Sequence, residues 1–174
     1  MASGDGTRGT VRLGHVGLYA RDLEGLRDWY RDTLGLTVTD EDLEFGIVFL
    51  SGDPEAEHHM LALARGRTTD DSVPMVQQVS WIVDSIEQLR AFHQKFADSG
   101  VKVQWEVTHG NALSIYFYDP EGNRNEVYYK TGLAVPQPFR QFIDLGLPAD
   151  QIAAENERLI AEGDMRRTAA PAGS

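Results

Sequence analysis

The chain has 174 residues, with 16 Lys+Arg against 27 Asp+Glu for a formal net charge of −11, a size that predicts one domain, or two small halves sharing a core, burying roughly 70% of the unfolded surface. It has no cysteine, which excludes disulfide frameworks, thiolate zinc sites, iron–sulfur clusters and cysteine nucleophiles, and leaves any metal to His, carboxylate or amide ligands. A pI near 4.8 opposes nucleic-acid binding, which depends on Lys and Arg neutralising phosphates. Neither the small polar stretch Met1–Thr10 nor apolar runs as short as Ile47–Leu50 make a signal peptide or a membrane span, so the cytoplasm is the expected location.

The chain contains an internal repeat. HVGLYARDLEGLRDWY, from His15, lies over QVSWIVDSIEQLRAFH, from Gln78, and IVFLSGDPE echoes IYFYDPEGN after a small insertion. Each copy reads as one supersecondary unit, and two copies are too few for a solenoid. In chain order, an alternating strand over about Val11–Ala20 is followed by a helix with Leu23, Leu26, Tyr30 and Leu34 on one face, stopped by Gly35. Strands follow at Leu36–Thr39, Phe45–Leu50 and about His58–Ala64, and a polar linker, Arg65–Val73, ends before Pro74. The second copy predicts a strand over Val76–Val83, then a helix carrying Ile86, Leu89, Phe92 and Phe96 that stops at Gly100. Its strands are Val101–Val107, Leu113–Tyr118 and Asn125–Lys130, with a strong turn signal in DPEGN, 119–123. Beyond Pro136 and Pro138, PADQIAAENERLIAEG reads as an amphipathic docking helix.

The expected fold is therefore α+β: two βαβββ modules, 11–65 and 76–130, within a single domain 11–130. Two four-stranded sheets are expected to pair about a pseudo-two-fold axis, with helices outside and an open cup between. A flexible N-terminus, 1–10, a C-terminal extension, 131–163, and a flexible tail, 164–174, complete the expected organisation.

Strand parity sorts the faces. Val16, Leu18 and Ala20 belong under the helix and leave His15, Gly17 and Tyr19 on the other face. The second copy places Gln78, Ser80 and Ile82 there. Gly17 and Ser80 are small and leave room for a ligand between His15 and Gln78. Glu126 and Tyr128 share a face on the last strand, as Tyr116 and Tyr118 do on its neighbour. A His, an amide and a carboxylate from three strands could together hold a divalent metal.

Each residue also has a plainer explanation. A lone strand His is usually a half-buried polar residue, Glu126 between aromatics is more often exposed or ion-paired, and Tyr116 is by default a sheet aromatic. His58 and His59 follow an acidic turn and read equally as solvated, His109 in THGN as a turn residue, and His93 as surface. One argument favours Glu126 as a ligand: a buried carboxylate needs a partner, and a metal supplies one.

These residues resemble the vicinal oxygen chelate superfamily and, within it, the type I extradiol (catechol ring-cleaving) dioxygenases, over about Val11 to Lys130. GHVGLYARDLEGLRDWYRDTLGL is similar to the superfamily's opening unit. SIYFYDPEGNRNEVYY, 114–129, resembles the more specific signature ending in the dioxygenases' carboxylate ligand, and HHMLAL, 58–63, the strand with their acid–base histidine. The resemblance implies that His15 and Glu126 bind metal and that His59 is the general acid–base. It implies further that Tyr116, ten residues before Glu126, positions substrate and that His109 assists from behind it.

Gln77-Gln78-Val79-Ser80-Trp81 departs from the family's HHVAF-like pattern, so that the implied ligand triad becomes His15, Gln78 and Glu126. Glyoxalase-like relatives in the superfamily do use Gln as a ligand, and its harder oxygen donor shifts preference away from Fe(II). Superposing the two DPE motifs puts Met60 opposite Glu126, whereas superposing Phe49 on Phe117 puts His58 there.

The expectation is an extradiol-type dioxygenase that opens a catecholic aromatic ring with O2. Its divalent metal is expected to be Fe(II), with Mn, Zn and Ni as alternatives. The other expectations are a small aromatic substrate, no nucleic-acid or membrane partner, and a homodimer. The competing readings are a metal-dependent glyoxalase- or isomerase-like enzyme of the same fold and a metal-free small-molecule binding or resistance protein.

Overall fold

The computed structural model of the protein describes residues 12–70, 72–74 and 76–163. The expected flexible N-terminus and tail fall outside the described residues. The chain divides between Thr68 and Thr69 into two compact units. The first contains β1 (Val16–Ala20), α1 (Leu23–Leu34), β2 (Thr37–Asp42), β3 (Ile47–Ser51) and β4 (Leu61–Arg65). The second contains β5 (Val79–Val83), α2 (Ile86–Ser99), β6 (Val103–Thr108), β7 (Ala112–Tyr118), β8 (Arg124–Lys130), β9 (Gln141–Phe142) and α3 (Ala149–Glu162). Among the described residues no helix is long and apolar enough to cross a membrane.

Both units are built alike. Sheet order is β1-β4-β3-β2 in the first and β5-β8-β7-β6-β9 in the second. The opening strand runs parallel to the closing one in each, β1 with β4 and β5 with β8, while the remaining pairs are antiparallel. Helix ends obey local chemistry. Asp22 and Ser85 cap α1 and α2 by accepting from Gly25 N and Gln88 N, and Gly35 and Gly100 end them at φ 75° and 68°, in the left-handed region that favours glycine. The apolar stripe of α1, Leu23, Leu26 and Tyr30, is buried together with Leu18, Ala20, Val48 and Leu63. In the second unit Phe96 of α2 stacks on Phe117, ring centroids 4.5 Å apart.

The structure corrects several boundaries. The first strand of each copy begins later than the alternation predicts, at Val16 and Val79, so His15 and Gln78 each occupy the residue just before a strand. Likewise β4 begins at Leu61, and His58 and His59 lie on the approach to it. Arg65, assigned to the linker, closes β4, and Arg67 within that linker is buried. His93 is no bare surface residue: its Nδ1 lies 2.6 Å from Glu106 Oε1.

The second sheet has five strands, not four. The two-residue β9 pairs with β6 through Val107 and Phe142, and Leu145 N donates to Glu106 Oε2, 3.2 Å. A two-residue strand is too short for alternation to reveal. The C-terminal helix docks on its own unit, where Ile152, Asn156 and Leu159 are buried. Thr108 Oγ1 bonds Asn156 Oδ1, and Asn156 Nδ2 donates to Gly110 O at 3.0 Å. Gly110, at φ 74°, also has no room for a side chain, because an added Cβ would meet Val135 at 2.7 Å. The α3 helix thereby holds the turn that carries His109.

Replacing Asn156 with Ala removes one partner each from the buried Thr108 hydroxyl, which still accepts from Gly110 N, and the Gly110 carbonyl, which still accepts from Thr131 Oγ1. The expected cost is about 1–3 kcal/mol of stability, read by chemical denaturation, whereas an exposed-face change such as Glu157→Ala is expected to cost less than about 0.5 kcal/mol.

Candidate functional site

In the first unit the histidines gather at one strand edge. Val16 N donates to Met60 O at 3.0 Å and Met60 N to Leu50 O at 2.9 Å, which pins Met60 and brings its neighbour His59 beside His15. The His15 and His59 ring centroids are 4.4 Å apart, and His58 Nδ1 is 2.9 Å from His59 Nδ1. Phe49 packs against His59 at 4.7 Å. Burial, then the neighbouring imidazoles of His15 and His58, hold His59 below the usual histidine pKa of 6.5. His59 is therefore neutral at neutral pH, and with Nδ1 engaged by His58 its Nε2 is left to exchange a proton.

In the second unit one row of residues crosses the sheet. Trp105 pairs with Tyr116, Tyr116 with Glu126, and Glu126 with Ser80. The DPEGN turn sets that register. Asp119 Oδ1 accepts from Glu121 N and Asn123 N, Asn123 Nδ2 donates to Asp119 Oδ2, and Gly122 supplies φ 76°. A slip of one residue would turn Glu126 to the other face.

Glu126 is 7% exposed. Its Oε2 accepts from Gln78 Nε2 at 2.8 Å and from Ser80 Oγ at 2.5 Å, both neutral donors. A carboxylate buried with neutral partners has no countercharge from the protein, and a bound cation would supply one. Together with the amide of Gln78 the carboxylate offers the oxygen ligands a divalent metal takes, so the donors of the second unit fit such an ion. Among the described residues no three His, Cys, Asp or Glu side chains form a metal-holding cluster.

Tyr116 is also 7% exposed, and its hydroxyl lies 3.0 Å from His109 Nε2. His109 Nδ1 lies 2.8 Å from the Phe139 carbonyl, which can only accept. That assigns the His109 proton to Nδ1 and makes Nε2 the acceptor for the Tyr116 hydroxyl. Burial first, and then the Glu126 carboxylate, push the Tyr116 phenol above its usual pKa of 10, so it stays protonated.

Within the second unit the structure brings together Gln78, Glu126, Tyr116 and His109. Within the first it brings together His15, His58 and His59. Strand pairing also replaces both sequence alignments of the copies. Gly17 pairs with Ala62 as Ser80 pairs with Glu126, and Phe49 pairs with Ala62 as Tyr116 pairs with Glu126. The counterpart of Glu126 is therefore Ala62, and neither Met60 nor His58 occupies that position. Sequence reading took Ser80 only as small and missed its hydroxyl contact. It also passed over Trp105, Arg124 and Arg140. Arg124 shares parity with Glu126 and was legible in principle, whereas Arg140 lies in an irregular segment with no period to place it.

A duplicated βαβββ unit with mixed sheets defines the glyoxalase type of α+β fold. Residues 12–127 match the family model described as Glyoxalase/Bleomycin resistance protein/Dioxygenase superfamily, and the chain belongs to that superfamily. It is 27% identical over 118 residues to "Biphenyl-2,3-diol 1,2-dioxygenase 2" of Rhodococcus globerulus, covering 66% of this chain and 60% of the relative. It is 28% identical over 122 residues to "Manganese-dependent 2,3-dihydroxybiphenyl 1,2-dioxygenase" of Geobacillus genomosp. 3, covering 68% and 36%. The chain thus spans less than two thirds of the length of these relatives. In fold it is similar to a glyoxalase/bleomycin resistance protein/dioxygenase from Nocardioides, with TM-score 0.58, 20% identity, and 75% and 91% of the two chains covered. A lactoylglutathione lyase from Agrobacterium tumefaciens matches with TM-score 0.54 at 22% identity, covering 69% and 94%.

An NMR titration of the metal-free protein is expected to give His59 a pKa below 6.5, and His15→Ala is expected to raise it by removing both cover and a like charge. A His59 pKa at or above 6.5 contradicts the neutral-base role.

Proposed function

We propose that the protein is a metal-dependent extradiol-type dioxygenase that opens a catecholic ring with O2. The reaction breaks one ring C–C bond next to the diol, and both oxygen atoms enter the product. The observation that carries this reading is the row Tyr116–Glu126–Ser80, with a buried carboxylate on neutral donors and a protonated phenol backed by His109. The relatives named as dioxygenases of dihydroxylated biphenyls support it.

The proposed ligands are His15, Gln78 and Glu126, with Fe(II) as first choice and manganese as the alternative named in one relative. When bound, the metal supplies Lewis acidity toward two vicinal substrate oxygens and a redox partner for O2. The remaining roles belong to side chains. His59 Nε2 accepts a proton from a substrate hydroxyl and returns it as the ring opens, a task suited to a neutral imidazole. The Tyr116 hydroxyl donates to His109 Nε2 and keeps its lone pairs to accept from a substrate hydroxyl, which orients the ring. Gln78 supports one further reading, a glyoxalase-like enzyme without oxygen chemistry, since an amide is a harder ligand than imidazole.

Protein purified anaerobically without chelator is expected to carry near-stoichiometric divalent metal by elemental mass spectrometry and to consume oxygen with a catechol panel. Glu126→Ala is expected to lose both metal and turnover. His59→Ala is expected to keep the metal and lose roughly 10²- to 10⁴-fold in rate. Unchanged ring cleavage in both variants would refute the assignment, and turnover indifferent to oxygen would select the glyoxalase-like enzyme.

A further inference from the structure

In a chain of net charge −11 several arginines hold acidic neighbours. Arg27 bonds Asp28 and Glu41, Arg31 bonds Asp28 and Asp32, and Arg158 bonds Glu155. Two arginines of the second unit instead lie over aromatic rings. Arg124, on β8 and on the same face as Glu126, lies with its guanidinium carbon 4.3 Å from the Tyr116 ring centroid and 5.1 Å from that of Trp105. Arg140, just before β9, lies 4.8 Å from the Trp105 centroid. The Nε atoms of both are buried and without a hydrogen-bond partner. Neither guanidinium has a carboxylate partner among the described residues.

Aromatic faces attract these cations but satisfy none of the five N–H donors each carries. Two like charges are thus held about one indole with donors to spare. Both side chains are half-exposed, so an anion from solution can reach those donors and add charge-assisted hydrogen bonds.

We propose that Arg124 and Arg140, gathered on Trp105, form a subsite for a carboxylate on the substrate. Residues opposite one another across the sheet place Trp105 two strands from Glu126, roughly 10 Å. A single aromatic ring with vicinal oxygens at the Glu126 end and a short carboxylate arm at the Trp105 end spans that distance, with its ring along the Tyr116 row. The planar fork of Arg matches a planar carboxylate through paired N–H bonds, which a Lys could not reproduce. The substrate class is accordingly a catechol bearing a carboxylate arm. This assignment rests on the catechol reading for the diol end only, because the anion end is defined by the arginines themselves.

The test is calorimetric titration of the full chain, as purified and without oxygen, with three probes: 3,4-dihydroxyphenylacetate, its neutral analogue 4-methylcatechol, and phenylacetate, which has no diol. The carboxylated catechol is expected to bind at least roughly tenfold more tightly than 4-methylcatechol. Arg140→Gln is expected to abolish that preference while leaving 4-methylcatechol within about twofold, and Arg140→Lys to restore part of it. Added salt is expected to weaken binding of the two acids selectively. Equal affinity for the first two probes, no detectable binding of either acid, or an Arg140→Gln loss shared equally by all three would overturn the subsite. Retained, Arg140-dependent binding of phenylacetate without ring cleavage of any diol would remove the dioxygenase reading and leave the anion subsite standing.

Discussion

A buried carboxylate among neutral partners is the constraint from which the second unit is best understood. Glu126 is 7% exposed and is held by an amide and a hydroxyl, not by a cation. Such a group is tolerated only where the surrounding fold is rigid enough to keep its donors in place. The fold meets that demand from both sides. The parallel β5–β8 pairing brings Ser80 to Glu126, and the internally bonded 119–123 turn fixes the β7–β8 register that sets Tyr116 opposite. Below them Trp81 Nε1 donates to Asn125 Oδ1, and Asn125 Nδ2 donates to Asn123 O, which ties strand and turn together.

From that row the polar chemistry extends outward to the edge of the unit. His109 supports Tyr116, the Phe139 carbonyl orients His109, and Asn156 of α3 holds the turn on which His109 rides. The C-terminal helix therefore connects to the site through backbone and side-chain hydrogen bonds, although no residue of α3 touches the carboxylate. The segment before it supplies Arg140 to Trp105. What reads as an extension of the repeat is thus part of the site's support.

The two copies have diverged at corresponding positions. Where the second has Ser80, Tyr116 and Glu126, the first has Gly17, Phe49 and Ala62. The first unit's polar groups are instead His15, just before its opening strand, and the His58–His59 pair entering its last. Phe49 packs on both histidines of that pair, the apolar counterpart of a tyrosine that hydrogen-bonds in the other copy. Duplication supplied one backbone, and the side chains at equivalent ladder positions separated into a neutral imidazole cluster and a carboxylate cluster.

The repeat, both helices with their glycine stops, the βαβββ element order of each module and the α+β class were legible in the chain, because hydrophobic period and helix termination act between residues close in sequence. Strand parity also placed Gln78 and Glu126 on one face of the second module, where the structure joins them by a hydrogen bond. The equivalence of Ala62 with Glu126 was not legible, since unequal loops shift the two alignments and only ladder pairing resolves them. Nor was β9, the docking of α3 on its own unit, or the gathering of Arg124 and Arg140 on one indole. The sequence by itself determined the local elements and the polar groups they carry. Tertiary structure alone decided which of those groups lost water and met one another, because burial and pairing across strands depend on contacts between residues far apart in the chain.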